Sequence, residues 1–236
     1  MKKKGLYISL MPIYLLVLSG FLLLGAGGSR AVTVLSANAP VTGRKTVVID
    51  AGHGGVDGGA TSCTGVLESQ FNLEIALKLD DLMHLLGIDT VMIRDTDCSV
   101  YTQGETIAQK KVSDLKERVR IVNSTENALL ISIHQNQFSD SKYRGAQVFY
   151  APTAGSQEFA KKLQTSLVGA LNPDSHRQIK KADGVYLMQH INGTGVLIEC
   201  GFLSNPQEEY LLRDHSYQQK ICSVIACATS NYFFDS

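Results

Sequence analysis

The chain predicts an α/β domain of three layers, with a mostly parallel central sheet flanked by helices on both faces. Three observations lead there. Short apolar runs alternate along the chain with segments of helical periodicity. The run at residues 128–134 is apolar almost throughout, the pattern of a strand covered on both sides. Three of the runs close on a polar residue, at Asp50, His134 and Glu199, which in a parallel sheet share one edge.

Taken in order, the N-terminus comes first. Lys2, Lys3 and Lys4 precede an apolar stretch from Leu6 to Ala26, the signature of export by a signal peptide or an uncleaved membrane anchor over residues 1–30. Residues 31–45 are small and polar without periodicity and read as a linker. The globular part is expected over 46–236. Its first strand, 46–50, runs into a glycine-rich loop at 51–60 with His53 at its tip. From Leu67 the positions Phe71, Ile75, Leu79, Leu82 and Leu86 recur at steps of four and three, an amphipathic helix that Gly87 ends. A short strand at 89–94 follows, then a helix at 114–123 with Leu115, Val119 and Val122 inward. Beyond the run at 128–134 come a strand at 146–150 and a helix carrying Phe159, Leu163, Leu167 and Leu171. Asn172-Pro173 closes that helix. A buried strand at 195–200 and a last helix with Leu211, Leu212, Ile221 and Ile225 complete the chain.

Composition removes several classes of function. The 22 basic and 22 acidic residues cancel, but Lys2, Lys3, Lys4 and Arg30 fall in the leader, leaving 18 basic against 22 acidic. That balance speaks against a nucleic-acid partner and limits membrane contact to the N-terminal segment. The five cysteines (Cys63, Cys98, Cys200, Cys222, Cys227) have no CxxC spacing and suggest neither a disulfide framework nor a cysteine zinc site. Most are expected to be small buried hydrophobes. The glycine loop also lacks the GxxxxGK[ST] and GxGxxG patterns of phosphate cradles.

His53, His134 and Glu199 therefore converge at one sheet edge, and Glu68, at the start of the first helix, stands above it. Two histidines and a glutamate suffice for a catalytic Zn²⁺, and the remaining glutamate is free to act as a base, the division of labour of a metal-assisted hydrolase. Glu74, on the same helix as Glu68, competes for its role. Alone, each residue has a plainer reading: the histidines as satisfied core groups, Glu68 as a first-turn acid favoured by the helix dipole. Glu199 resists that reading, because a carboxylate between Ile198 and Cys200 is costly to bury unpaired. His84, His176, His190 and His215 have no metal-ligand spacing and read as surface or core histidines.

These segments resemble the type-3 family of zinc-dependent N-acetylmuramoyl-L-alanine amidases, which are cell-wall hydrolases. The likeness is carried by Val48-Ile49-Asp50-Ala51-Gly52-His53-Gly54-Gly55, Gly65-Val66-Leu67-Glu68, Arg94-Asp95-Thr96-Asp97, Leu115 with Arg118 and Asn123, Ser132-Ile133-His134-Gln135-Asn136, and Val196-Leu197-Ile198-Glu199-Cys200-Gly201-Phe202. It implies that His53, Glu68 and His134 bind Zn²⁺ and that Glu199 is the catalytic acid/base. The bond cut would be the amide between the lactyl group of N-acetylmuramic acid and the L-alanine of the stem peptide. Gln135 stands where the family more often has a small residue, and Ile93 where threonine is usual. A catalytic domain this short is similar to the spore-cortex amidases, whose cut leads to muramic-δ-lactam. It implies an exported enzyme of the cell envelope acting on peptidoglycan, with an accessory protein for targeting or activation. The rival readings are a zinc peptidase cutting within the stem and a non-catalytic peptidoglycan-binding protein.

Overall fold

The computed structural model describes residues 45–234. The leader at 1–30 and, apart from Lys45, the linker at 31–45 lie outside the described residues. No helix among the described residues is long and apolar enough to cross a membrane.

Strands β1 (Thr46–Ala51), β2 (Thr90–Met92), β3 (Ala128–Asn136), β4 (Gln147–Tyr150), β5 (Lys180–Lys181) and β6 (Thr194–Phe202) form one sheet in the order β2-β1-β3-β6-β4-β5. Its helices are α1 (Glu68–Leu85), α2 (Ile107–Ser124), α3 (Ser156–Leu171), α4 (Tyr186–His190), α5 (Pro206–Arg213) and α6 (His215–Phe234). β2, β1, β3 and β6 are mutually parallel, whereas β4 runs antiparallel to β6. The mostly parallel sheet is as expected.

Alternation along the strands builds the three layers. Val47, Ile49, Leu129, Ile131 and Ile198 face α1, α3 and α6, where they pack with Ile75, Leu79, Phe159, Leu163, Ile221 and Ile225. Val48, Leu130 and Leu197 face the other way, against Val122 of α2 and Leu187 and Met188 of α4. Both faces are thus covered, so the strands read as continuous apolar runs. Each fully buried Ile or Leu contributes about 1.5–3 kcal/mol relative to exposure, and these two clusters hold the sheet edge rigid beneath the site.

Several elements depart from expectation. α2 begins at Ile107, well before residue 114. A capping box between Thr106 and Gln109 starts it, while Ile107 and Val112 are exposed, so its first turns carry no buried stripe to betray a helix. The single last helix is two, because Asp214 is extended (φ −77°, ψ 123°) and separates α5 from α6. Leu86 is exposed rather than inward, as it caps α1 ahead of Gly87. β3 and β6 extend past His134 and Glu199, with a register shift between His134 and Asn136. β5 and α4 were not anticipated. Of the cysteines only Cys200 and Cys222 are buried, which corrects the expectation for most of them; Cys63 and Cys227 are exposed and Cys98 is half-buried, on loop or helix surface that no core covers.

Candidate active site

β1, β3 and β6 are neighbours, so their carboxyl ends bring the expected residues together. Asp50 pairs in register with Ser132 and His134 with Glu199. Just beyond β1, His53 has a φ of 60°, a left-handed conformation uncommon for a residue with a side chain. Two buried arginines hold the backbone there. Arg118 of α2 donates from Nη2 to the His53 carbonyl at 2.7 Å and from Nη1 to that of Ala51 at 3.0 Å. Arg94 donates from Nε to the Ala51 carbonyl at 2.8 Å and from Nη2 to those of Gly52 and Ser69 at 3.0 and 2.9 Å. Glycine is required at two points of this loop. A Cβ on Gly52 would fall 2.2 Å from the His134 ring, and one on Gly59 (φ 69°) would fall 2.7 Å from both Glu68 Oε2 and His53 Cδ2.

Glu68 opens α1 without a capping side chain. The loop's own carbonyls replace the cap, with the Glu68 and Ser69 amides donating to Ala60 and Gly58. The carboxylate then sits between the two histidines. His53 Nε2 lies 3.3 Å from Oε2 and His134 Nδ1 lies 2.9 Å from Oε1. One donor atom from each of His53, Glu68 and His134 falls within 4.8 Å of the others, and the two rings meet edge to face at 5.0 Å. Asp57 Oδ2, 2.9 Å from His53 Nδ1, favours the tautomer that leaves Nε2 as the free donor. Glu68 also accepts from the amides of Ala60 (3.0 Å) and Gln135 (3.2 Å) and from Asn72 Nδ2 (3.2 Å). Asn72 is itself oriented, since its Oδ1 accepts from Gln135 Nε2 at 3.3 Å. Two imidazole nitrogens and one carboxylate oxygen converging this closely, with His53 and Glu68 steered by further hydrogen bonds, fit the donor set of a three-ligand zinc site.

The two glutamates are driven in opposite directions. Burial alone would raise the Glu68 carboxyl, but hydrogen bonds and charge from His134 and His53 hold it far below the usual carboxylate range. Burial likewise opposes the charge on His53, yet Glu68 and Asp57 hold that imidazole above its ordinary value. Glu199 carries a buried Oε2 with no hydrogen-bond partner among the described residues. Burial pushes its carboxyl up to about 7; His134 opposes the rise, Glu68 adds to it and His53 opposes it. His53, His134 and Glu199 line one cleft of about 350 Å³.

All four expected site residues therefore meet. Glu74 does not join them: it is exposed, and its carboxylate accepts from Gln218 Nε2 of α6 at 2.8 Å. His84, His176, His190 and His215 are all exposed. The sequence reading gives no role to the supporting shell of Asp57, Asn72, Arg94 and Arg118, the two arginines entering it only as residues of the family likeness. Asp57 follows His53 by four residues, a spacing that could have flagged it, whereas the buried arginines carry no local signal.

A family model described as N-acetylmuramoyl-L-alanine amidase matches residues 47–231. The chain is 38% identical over 196 residues to the germination-specific N-acetylmuramoyl-L-alanine amidase of Bacillus subtilis strain 168, covering 82% of this chain and 81% of that protein. Among solved structures it is similar to the CwlD amidase of Clostridioides difficile in complex with the GerS lipoprotein, at TM-score 0.78 and 38% identity over 81% of this chain and 100% of that one. An N-acetylmuramoyl-L-alanine amidase of Clostridium difficile 630 matches at TM-score 0.72 and 28% identity, covering 83% of this chain and all 100% of the other. A family match spanning nearly the whole described domain makes this chain a member of the N-acetylmuramoyl-L-alanine amidase family.

Proposed function

We propose that this enzyme uses Zn²⁺, bound by His53, Glu68 and His134, to hydrolyse the amide between the lactyl group of N-acetylmuramic acid and the L-alanine of the stem peptide, with Glu199 as catalytic acid/base. The observation that carries this reading is Glu199 itself. Its carboxyl is held near 7 beside a triad whose own carboxylate is held ionised, so it can both accept and return a proton at neutral pH. Zn²⁺ in the triad supplies Lewis acidity toward the amide carbonyl and the attacking water. Glu199 removes the water's proton and then protonates the alanine nitrogen as the C–N bond breaks. Asp57 and Asn72 keep His53 and Glu68 aimed, and the Arg94 and Arg118 contacts keep the loop in its left-handed turn.

The natural substrate is spore-cortex peptidoglycan, a reading supported by the likeness to a germination-specific relative. The enzyme is exported, its residues 1–30 serving as signal peptide or membrane anchor, 31–45 as linker and 46–236 as the catalytic domain. An accessory protein assists it, in keeping with the lipoprotein that accompanies the similar CwlD amidase. Mass spectrometry of cortex peptidoglycan digested with the full chain tests this. Free stem peptides beginning with L-alanine, lost on chelation and restored by Zn²⁺, are expected. Fragments cut within the stem would instead establish the peptidase reading.

A further inference from the structure

One wall of the cleft carries two lysines that have no part in the hydrolysis just described. Opposite His53, His134 and Glu199, the first turns of α2 bring Lys110 and Lys111 to the cleft, and Tyr101 of the preceding loop lies beside them. Lys110 is half-buried, its Nζ 5.2 Å from the centre of the Tyr101 ring. No ion pair of that ammonium is found among the described residues, and the ring contact leaves its charge in place. Lys111 Nζ lies 3.3 Å from each Asp57 oxygen. Asp57 in turn holds His53 Nδ1, so the Lys111 ammonium stands two hydrogen bonds from a residue of the triad.

Two other acids of the cleft, Asp50 and Asp114, are already engaged. Asp50 pairs with Arg118 and accepts from Ser132 Oγ at 2.6 Å. Asp114 accepts from Arg118 Nε at 2.6 Å and from the Val100 amide at 2.7 Å. Asp57 alone faces the lysines, and it is shared with His53. Lys110 therefore stands in the cleft as a cation that no acid among the described residues pairs with. An extended peptide advances roughly 3.5 Å per residue, so a group on the residue after the alanine comes within reach of such a wall while the amide sits over the triad.

We propose that Lys110 and Lys111, with Tyr101, bind a free carboxylate on the second residue of the stem peptide, so that the enzyme selects stems whose second residue is an acid over those in which it is an amide. This inference rests on the amidase reading above. It makes the start of α2 a specificity element, and it gives a reason for a lysine pair where the helix has no buried stripe.

The test uses two glycan–peptide substrates that differ only in that group, free carboxylate or carboxamide, with the zinc-loaded full chain. Wild type is expected to show kcat/KM about tenfold higher on the free acid, carried by KM, equivalent to about 1.4 kcal/mol. Lys110→Gln is expected to bring the free acid down to the level of the amide. Lys116→Gln removes a cation of the same helix outside the cleft and is expected to leave the preference intact. Lys111→Gln is read with zinc content as well as KM, because Lys111 also touches Asp57. A loss of zinc with equal losses on both substrates would assign it to positioning and remove it from the proposal. Equal kcat/KM of wild type on the two substrates, equal losses on both in Lys110→Gln, or collapse of the preference in Lys116→Gln would overturn the inference. Release of no alanine-initiated peptide from either substrate would overturn the amidase reading and this inference together.

Discussion

Glu68 and Glu199 are the same residue type at one sheet edge, and their surroundings separate their chemistry. Glu68 accepts from two backbone amides and an Asn side chain, lies beside two imidazoles, and stays ionised, as its proposed role as a ligand requires. Glu199 has a buried oxygen without a partner and is pushed up to about 7, which suits a group that passes a proton both ways. Glu199→Gln is therefore expected to retain stoichiometric zinc and lower kcat by about 10²–10⁴-fold. Metal analysis beside steady-state kinetics decides it, and near-normal turnover would remove Glu199 from the mechanism. Asn72 acts through Glu68: the Gln135 amide fixes its orientation so that its NH₂ faces the carboxylate. Asn72→Ala should weaken zinc binding by about 10–100-fold in a chelator competition, with unchanged affinity counting against that role. Of the four proposed site residues, His134 and Glu199 were legible because polar groups ending apolar runs stand out, His53 because it tips a glycine-rich loop, and Glu68 because it opens the helix that follows. Asn72 was not, since on a helix it looks like any solvated amide until the fold buries it.

At the scale of elements, α2 was the hardest to read and matters most to the site. Only Ser113, Arg118 and Val122 of it are buried, so no apolar stripe announces its first turns, and the capping box is its one sequence signal. Arg118 links this helix to the catalytic loop through Asp50, Asp114 and the carbonyls of Ala51 and His53. Arginine is rarely buried, so its type argued for the surface, and three of the four acceptors that make burial tolerable, Asp50 and the carbonyls of Ala51 and His53, come from a segment distant in sequence. The antiparallel direction of β4 was equally illegible, because residues 146–150 are apolar whichever way the strand runs. Lysine at position 118 cannot reproduce the fork. We expect Arg118→Lys to lower stability by about 1.5–3 kcal/mol in denaturant unfolding and to weaken zinc binding, because the left-handed turn at His53 loses its carbonyl anchor. Loss of stability with unchanged zinc affinity would show that the loop holds its own shape.

For the whole molecule, the Asp50–Arg118 pair joins the sheet to its helical cover at a depth where neither charge reaches water. Burial opposes ionisation of Asp50, but the Arg118 charge, that of His134, and hydrogen bonds from Ser132 and Arg118 outweigh it, so the folded carboxyl titrates below its ordinary value of 3.8. The sign follows from proton counts: near and below pH 3.8 the unfolded chain binds the proton more readily than the fold does, so stability rises with pH through that window. The contribution is complete above it and is lost as pH falls. Asp50→Asn removes one partner of a buried pair and should cost about 3 kcal/mol at pH 7, the low end of the expected range because Arg118 keeps Asp114. The gap between wild type and variant should then narrow progressively below about pH 4, as the wild-type carboxyl becomes protonated and resembles the amide. Urea unfolding of both metal-free proteins from pH 7 down to 3 measures it. A gap that stays constant over that range would mean that the penalty at position 50 comes from packing and hydrogen-bond geometry, and that the ion pair does not couple the sheet to α2.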